Sequence, residues 1–141
     1  MIIRHIGITV EDMERSLGFY RDLLGFVVTR DMKESGECID NFSGIKNILV
    51  RTVKMKDADD NLIELLQYYS HPEKAQCQPI IAIGCSHFAI TVEDLDELYT
   101  KLKSKGIAFN APPQFSPDGR VKLTFCKDPD GVLIEMVEVL K

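Results

Sequence analysis

Nothing in these 141 residues forms a basic run, a C-x-x-C pair or an apolar stretch near the roughly 18 residues a membrane helix needs. Each absence removes a class of function. Without concentrated positive charge there is no footprint for a phosphate backbone, and 17 Lys and Arg against 22 Asp and Glu leave a net charge of −5. Nucleic acid is therefore not an expected partner, and neither is a membrane. Cys38, Cys77, Cys85 and Cys126 stand too far apart in sequence for a short zinc or redox motif. The start, Met1-Ile2-Ile3-Arg4, lacks the order of a secretory signal, so reduced thiols and a cytoplasmic address are expected. A charged fraction of 28% and an apolar fraction of 45% describe an ordinary globular chain with enough material for one core.

What the chain does have is a duplication. His5-Ile6-Gly7-Ile8-Thr9-Val10-Glu11-Asp12-Met13 matches His87-Phe88-Ala89-Ile90-Thr91-Val92-Glu93-Asp94-Leu95 at six of nine places. Asp57-Ala58-Asp59-Asp60-Asn61-Leu62-Ile63-Glu64 matches Asp128-Pro129-Asp130-Gly131-Val132-Leu133-Ile134-Glu135 at five of eight. The first blocks are 82 residues apart and the second 71, so the first copy holds 11 extra residues. Residues 1–69 and 80–141 are read as two copies of one supersecondary unit, joined by a polar, proline-bracketed linker at 70–79.

Each copy opens with alternation. Ile6, Ile8 and Val10 interleave with His5, Gly7 and Thr9, and Phe88, Ile90 and Val92 with His87, Ala89 and Thr91. This is the period of a strand with two unlike faces, each His sharing the face with small or polar neighbours. A helix is predicted next. Asp12 is the expected N-cap before Met13, Leu17, Tyr20 and Leu24, with Gly25 as the stop. Asp94 with Glu97 resembles a capping box before Leu95, Leu98 and Leu102, and Gly106 ends that helix.

Further strands are predicted around Phe26–Thr29, Ile48–Val53 and Leu62–Tyr68, with a weaker candidate near Cys38–Phe42. In the second copy they fall at Ala108–Phe109, Val121–Phe125 and Leu133–Val139, the last two joined through Asp-Pro-Asp-Gly. Phe115–Gly119 reads as a mobile loop. The order is βαβββ twice, an α+β fold with a mixed sheet. Glu64 and Glu135 alternate with large apolar neighbours and so face the open side, as the two His do. A module of 60–70 residues is marginal alone, so the copies are expected to associate and combine their open faces into one cupped trough.

His5, Glu64, His87 and Glu135 could then converge as two imidazoles and two carboxylates, a donor set suited to divalent Zn, Ni, Co, Mn or Fe. A single strand His is more often a hydrogen-bonded structural residue than a ligand. Recurrence at matching places in both copies is what favours a metal site. Asp57–Asn61 resembles a calcium loop only faintly, because Leu62 occupies the Gly place and Tyr68 the closing Glu place. Arg51, Arg120, Lys122 and the linker His71 are read as surface groups without a role.

The duplicated His-x-Gly-Ile-x-Val start, the Phe19-Tyr20…Leu24-Gly25-Phe26 segment and the Asp-Pro-Asp-Gly-x-x-Ile-Glu hairpin resemble the vicinal oxygen chelate superfamily. That group includes glyoxalase I, methylmalonyl-CoA epimerase, extradiol dioxygenases and bleomycin-binding proteins. The resemblance implies paired βαβββ modules and a homodimer. It also implies that His5, Glu64, His87 and Glu135 match the His-Glu-His-Glu ligand pattern of bacterial-type glyoxalase I. The expected activity is a metal-dependent lyase or isomerase that turns the hemithioacetal of a 2-oxoaldehyde and a thiol into a thioester through an enediolate. Glu135 is the first candidate for the base and Glu64 the second, and the substrate is a thiol adduct or thioester. The alternatives are an epimerase of the methylmalonyl-CoA type, an Fe(II) extradiol dioxygenase using His5, His87 and Glu135, and a non-catalytic ligand-binding protein. Glutathione-binding members usually carry Arg and Asn where this chain has Thr9 and Tyr68, so the thiol partner is left open.

Overall fold

The computed structural model describes residues 1–76 and 79–140, and Cys77 falls outside them. The chain divides into two compact units, Met1–Ala75 and Gln76–Lys141. Each holds one four-stranded mixed sheet, and together they give the tandem βαβββ arrangement with one added helix.

In the first unit the order is β1 (Ile6–Thr9), α1 (Met13–Leu17), a π-helical turn (Gly18–Leu23), β2 (Val27–Ser35), α2 (Glu37–Ser43), β3 (Leu49–Lys56) and β4 (Leu62–Tyr68). The sheet runs β1-β4-β3-β2, with β1 parallel to β4 and the other pairs antiparallel. The Asp12 carboxylate accepts from the Arg15 N–H at 2.9 Å, which caps α1. The predicted single helix changes character at Gly18, where bonds such as Leu24 N–H to the Phe19 carbonyl reach five residues back. The adjacent rings of Phe19 and Tyr20 are both buried here, packed edge to face at 4.9 Å. Ile8, Val10, Met13, Leu17, Phe26, Val53, Met55, Ile63 and Leu65 are buried with them. Each such side chain contributes about 1.5–3 kcal/mol on burial.

The weak strand candidate at Cys38–Phe42 is wrong: this segment is helix α2. Gly36 (φ 103°) breaks β2 before it and Gly44 (φ 74°) closes it in the left-handed conformation. The Asp40 carboxylate accepts from the N–H groups of Asn47 and Ile48, and these bonds hold it below the usual carboxylate range. Ile39 and Ile48 pack with Val50, Leu66 and Tyr68. The last three share a face with Glu64, so the extra length of the first copy covers one end of its open face.

The second unit runs β5 (Phe88–Thr91), α3 (Leu95–Ser104), β6 (Gln114–Phe115), β7 (Val121–Lys127) and β8 (Leu133–Val139), with sheet order β5-β8-β7-β6. Asp94 caps α3 by accepting from Glu97 N–H at 2.9 Å. Gly106 (φ 83°) ends it with the paired bonds Ile107 to Leu102 and Gly106 to Lys103. Leu95, Leu102, Ile134 and Met136 are fully buried on the helix side. The strand expected at Ala108–Phe109 shrinks to an isolated bridge from Phe109 to Cys126. Pro112 and Pro113 have no N–H to donate, so pairing resumes only at Gln114. Phe115–Gly119 forms an ordered hairpin turn, in which Ser116 Oγ donates to Asp118 and accepts from Val121 N–H. Among the described residues no helix is long and apolar enough to cross a membrane.

Candidate metal centre

The two hairpins that carry the carboxylates are built alike. Asp57 accepts from the N–H groups of Asp59 and Asn61, and Asp128 from those of Asp130 and Val132. The left-handed residue of the turn is Asp60 (φ 63°) in one and Gly131 (φ 89°) in the other. These turns set the register of β4 on β3 and of β8 on β7. Glu64 therefore lies opposite Lys54 and beside Gly7, and Glu135 opposite Phe125 and beside Ala89.

Both acids stand on a strand with a parallel neighbour on one side and an antiparallel one on the other. The parallel neighbour brings a histidine from just before its first paired residue. His5 Nε2 is 3.2 Å from Glu64 Oε2, and His87 Nε2 is 3.4 Å from Glu135 Oε2. The His side chains are 31% exposed and the acids 13% and 24%, so each pair is sheltered yet reachable from solvent. The structure thus joins the four predicted residues as two His–Glu pairs, one per unit. Among the described residues no single place gathers three or more His, Cys, Asp or Glu side chains.

The donor chemistry of each pair fits a divalent cation. The His87 ring bonds through Nδ1 to Ser86 Oγ at 2.8 Å and meets Phe125 edge to face at 5.0 Å. That fixes the ring and leaves Nε2 directed at the carboxylate, the arrangement that orients imidazole ligands. The pairs are not equivalent. Glu64 Oε1 is also 3.3 Å from Lys54 Nζ, whereas the matching position in the second unit is Phe125.

Sequence reasoning missed Lys54, Ser86 and a second duplicated cluster on the opposite face. Arg51 donates to Glu14 at 2.6 Å and to both oxygens of Asp31, which raise its pKa. Lys122 pairs with Asp96 at 2.7 Å, with its pKa likewise raised, and approaches Glu138 at 3.5 Å. Gln67 accepts from the first N–H of α1, at Met13, and Glu138 from that of α3, at Leu95. These contacts tie each helix start to its sheet, so Arg51 and Lys122, assigned no role from sequence, are structural anchors. The 71-residue offset that matches Glu64 to Glu135 also matches Arg51 to Lys122 and Gln67 to Glu138, and would have found them. Arg120 remains exposed beside Asp118 at 3.7 Å, and His71 bonds Ser70 at 2.8 Å on the surface.

A duplicated βαβββ unit, in which a carboxylate on an inner strand meets an imidazole from the start of the adjoining edge strand, defines the class, and comparison with known proteins agrees. Residues 2–136 match the family model of the Glyoxalase/Bleomycin resistance protein/Dioxygenase superfamily, and the chain belongs to that superfamily. It is 29% identical over 139 residues to a probable lactoylglutathione lyase of Synechocystis sp., covering 98% of this chain and 95% of the relative. A glyoxalase family protein from Bacillus cereus superposes with a TM-score of 0.89 at 24% identity, covering 99% and 94% of the two chains. The trypanothione-dependent glyoxalase I of Leishmania major gives a TM-score of 0.68 at 25% identity, with 98% of this chain and 86% of that one covered.

Proposed function

We propose that this protein is a divalent-metal-dependent lyase or isomerase of glyoxalase I type, converting the hemithioacetal of a 2-oxoaldehyde and a thiol into a thioester. The observation that carries this reading is the repeated His–Glu pair, His5 with Glu64 and His87 with Glu135. These four residues are proposed to hold one cation, with Zn, Ni or Co preferred and Fe or Mn compatible with the same donors. A bound divalent ion supplies Lewis-acid stabilisation of the negative charge that develops on a substrate oxygen.

The remaining steps belong to the chain. Glu135 takes the proton from the substrate carbon that bears oxygen and sulfur, then returns it to the neighbouring carbon, so no net oxidation occurs. His87, fixed by Ser86 and Phe125, orients that carboxylate. Glu64, engaged by Lys54, is the second candidate for the base. General-base catalysis of this kind contributes roughly 10²–10⁴ in rate. Thr9 and Tyr68 offer no guanidinium or amide for glutathione, and Tyr68 packs against the cluster under α2. The thiol is therefore proposed to be a carrier other than glutathione, for which the trypanothione dependence of the Leishmania enzyme is a precedent. The acting form is proposed to be a cytoplasmic homodimer, which light scattering would register at twice the chain mass of 16.0 kDa.

The test is thioester formation from methylglyoxal with a series of thiols, after metal removal and after restoration. Activity that appears with metal and disappears with chelator supports the reading. No turnover with any thiol, under conditions where metal binds, would overturn it. A second reading has one observation in its favour: the Lys54–Glu64 contact leaves His5, His87 and Glu135 as a two-His, one-carboxylate set. That is the donor set of an Fe(II) extradiol dioxygenase, and oxygen consumption with a catechol would identify it.

A further inference from the structure

We propose that Lys54 is an internal cation for Glu64, which a divalent ion must displace, and that it thereby makes the two duplicated pairs unequal in their hold on that ion. This rests on the metal reading above. The two units align position for position around the carboxylates, and on the adjoining strand a single position differs in charge. Lys54 lies directly across from Glu64 on β3, with Nζ 3.3 Å from Oε1, while His5 Nε2 faces the other oxygen. Phe125 lies across from Glu135 at the matching place on β7 and packs its ring on His87. One carboxylate is thus already neutralised by a neighbour, and the other meets an uncharged ring.

The surroundings favour the ammonium staying where it is. Arg30 is the residue opposite Lys54 on β2, so the row reads Arg30, Lys54, Glu64 across three strands. Like charges placed opposite one another repel, and Glu64 offsets that repulsion. The Glu64 side chain is 13% exposed and Lys54 30%, so the contact is only partly screened by water. A divalent ion at Glu64 would stand beside a positive nitrogen unless Lys54 swung away. Once it swings, the carboxylate has lost a partner that it must regain whenever the ion leaves. Both effects weaken binding at this half of the site without altering a ligand.

The experiment is a Co²⁺ titration of metal-free wild type, Lys54→Met, Lys54→Gln and Lys54→Arg, read as competition with a chromophoric chelator. Folding of each variant is checked by thermal unfolding, and two neutral replacements guard against one failing to fold. Removing one positive charge next to the ligand is expected to tighten Co²⁺ binding by about tenfold in both neutral variants. Lys54→Arg, which keeps the charge, should stay within about threefold of wild type. Unchanged or weaker binding in both neutral variants, with wild type still binding Co²⁺, would overturn the role of Lys54 and leave the metal reading standing. Absence of Co²⁺ binding in all four proteins would overturn the metal reading and this inference with it.

Discussion

Replacing Glu135 with Gln separates chemistry from architecture, because the side chain keeps its size and loses only its charge and basicity. The structure sets both magnitudes. His87 does not depend on Glu135 for its position: Ser86 Oγ holds Nδ1 at 2.8 Å and the Phe125 ring lies 5.0 Å away. Glu135 is 24% exposed and bonded to no backbone anchor of the helix, a role that falls to Glu138. The fold should therefore lose less than about 1 kcal/mol, the range for a conservative change at a part-exposed site. Turnover should fall by roughly 10²–10⁴, the usual cost of a missing general base, equal to about 2.7–5.4 kcal/mol on the barrier. The assay is thioester formation at saturating metal, so that lower occupancy does not pass for lost chemistry, with thermal unfolding measured alongside. Turnover within about threefold of wild type at full metal occupancy would refute the role assigned to this carboxylate.

Three further outcomes follow from the fold. Asp60 occupies the left-handed position that Gly131 fills in the matching turn, so Asp60→Gly should leave stability unchanged or raise it, while Asp60→Ala should cost about 1 kcal/mol in chemical denaturation. Equal effects of the two substitutions would contradict the strain assigned to that residue. The Cys126 thiol is fully buried, and burial pushes its pKa up to about 12. The unfolded thiol ionises near pH 8.5, so its contribution to stability is complete below that and declines as pH rises towards 12. Denaturation midpoints of wild type should fall across that range more steeply than those of Cys126→Ala. In the folded protein a thiol reagent should modify exposed Cys38 and Cys85 and spare Cys126.

Much of the architecture could be read before any coordinates because the chain states it twice. The His strands, the Asp12 and Asp94 caps and the Asp-Pro-Asp-Gly hairpin are local signals, each with a partner 82 or 71 residues away, and all form as expected. Strand parity alone put His5, Glu64, His87 and Glu135 on the open faces of their sheets, whereas their side-by-side placement as two pairs comes from the parallel pairing of β1 with β4 and of β5 with β8. Helix α2 did not, because Glu37–Ser43 carries too few apolar residues to separate a short helix from a strand by period. Its helicity comes from Gly36, Gly44 and the Asp40 bonds. The π-helical turn had no sequence marker, since it arises where two adjacent aromatic rings are buried together. Lys54 was invisible for another reason: its significance is a cross-strand register, and a lysine on a strand ordinarily faces water.

The central claim is that His5, Glu64, His87 and Glu135 serve one cation. Equilibrium dialysis of metal-free protein against Zn²⁺, for wild type, His5→Ala and His87→Ala, tests it most directly. One tightly bound ion per chain is expected, and either substitution should abolish that binding although the two histidines belong to different halves of the sequence. Two ions per chain, with each substitution removing one and sparing the other, would contradict it, as would no tight binding by the wild type.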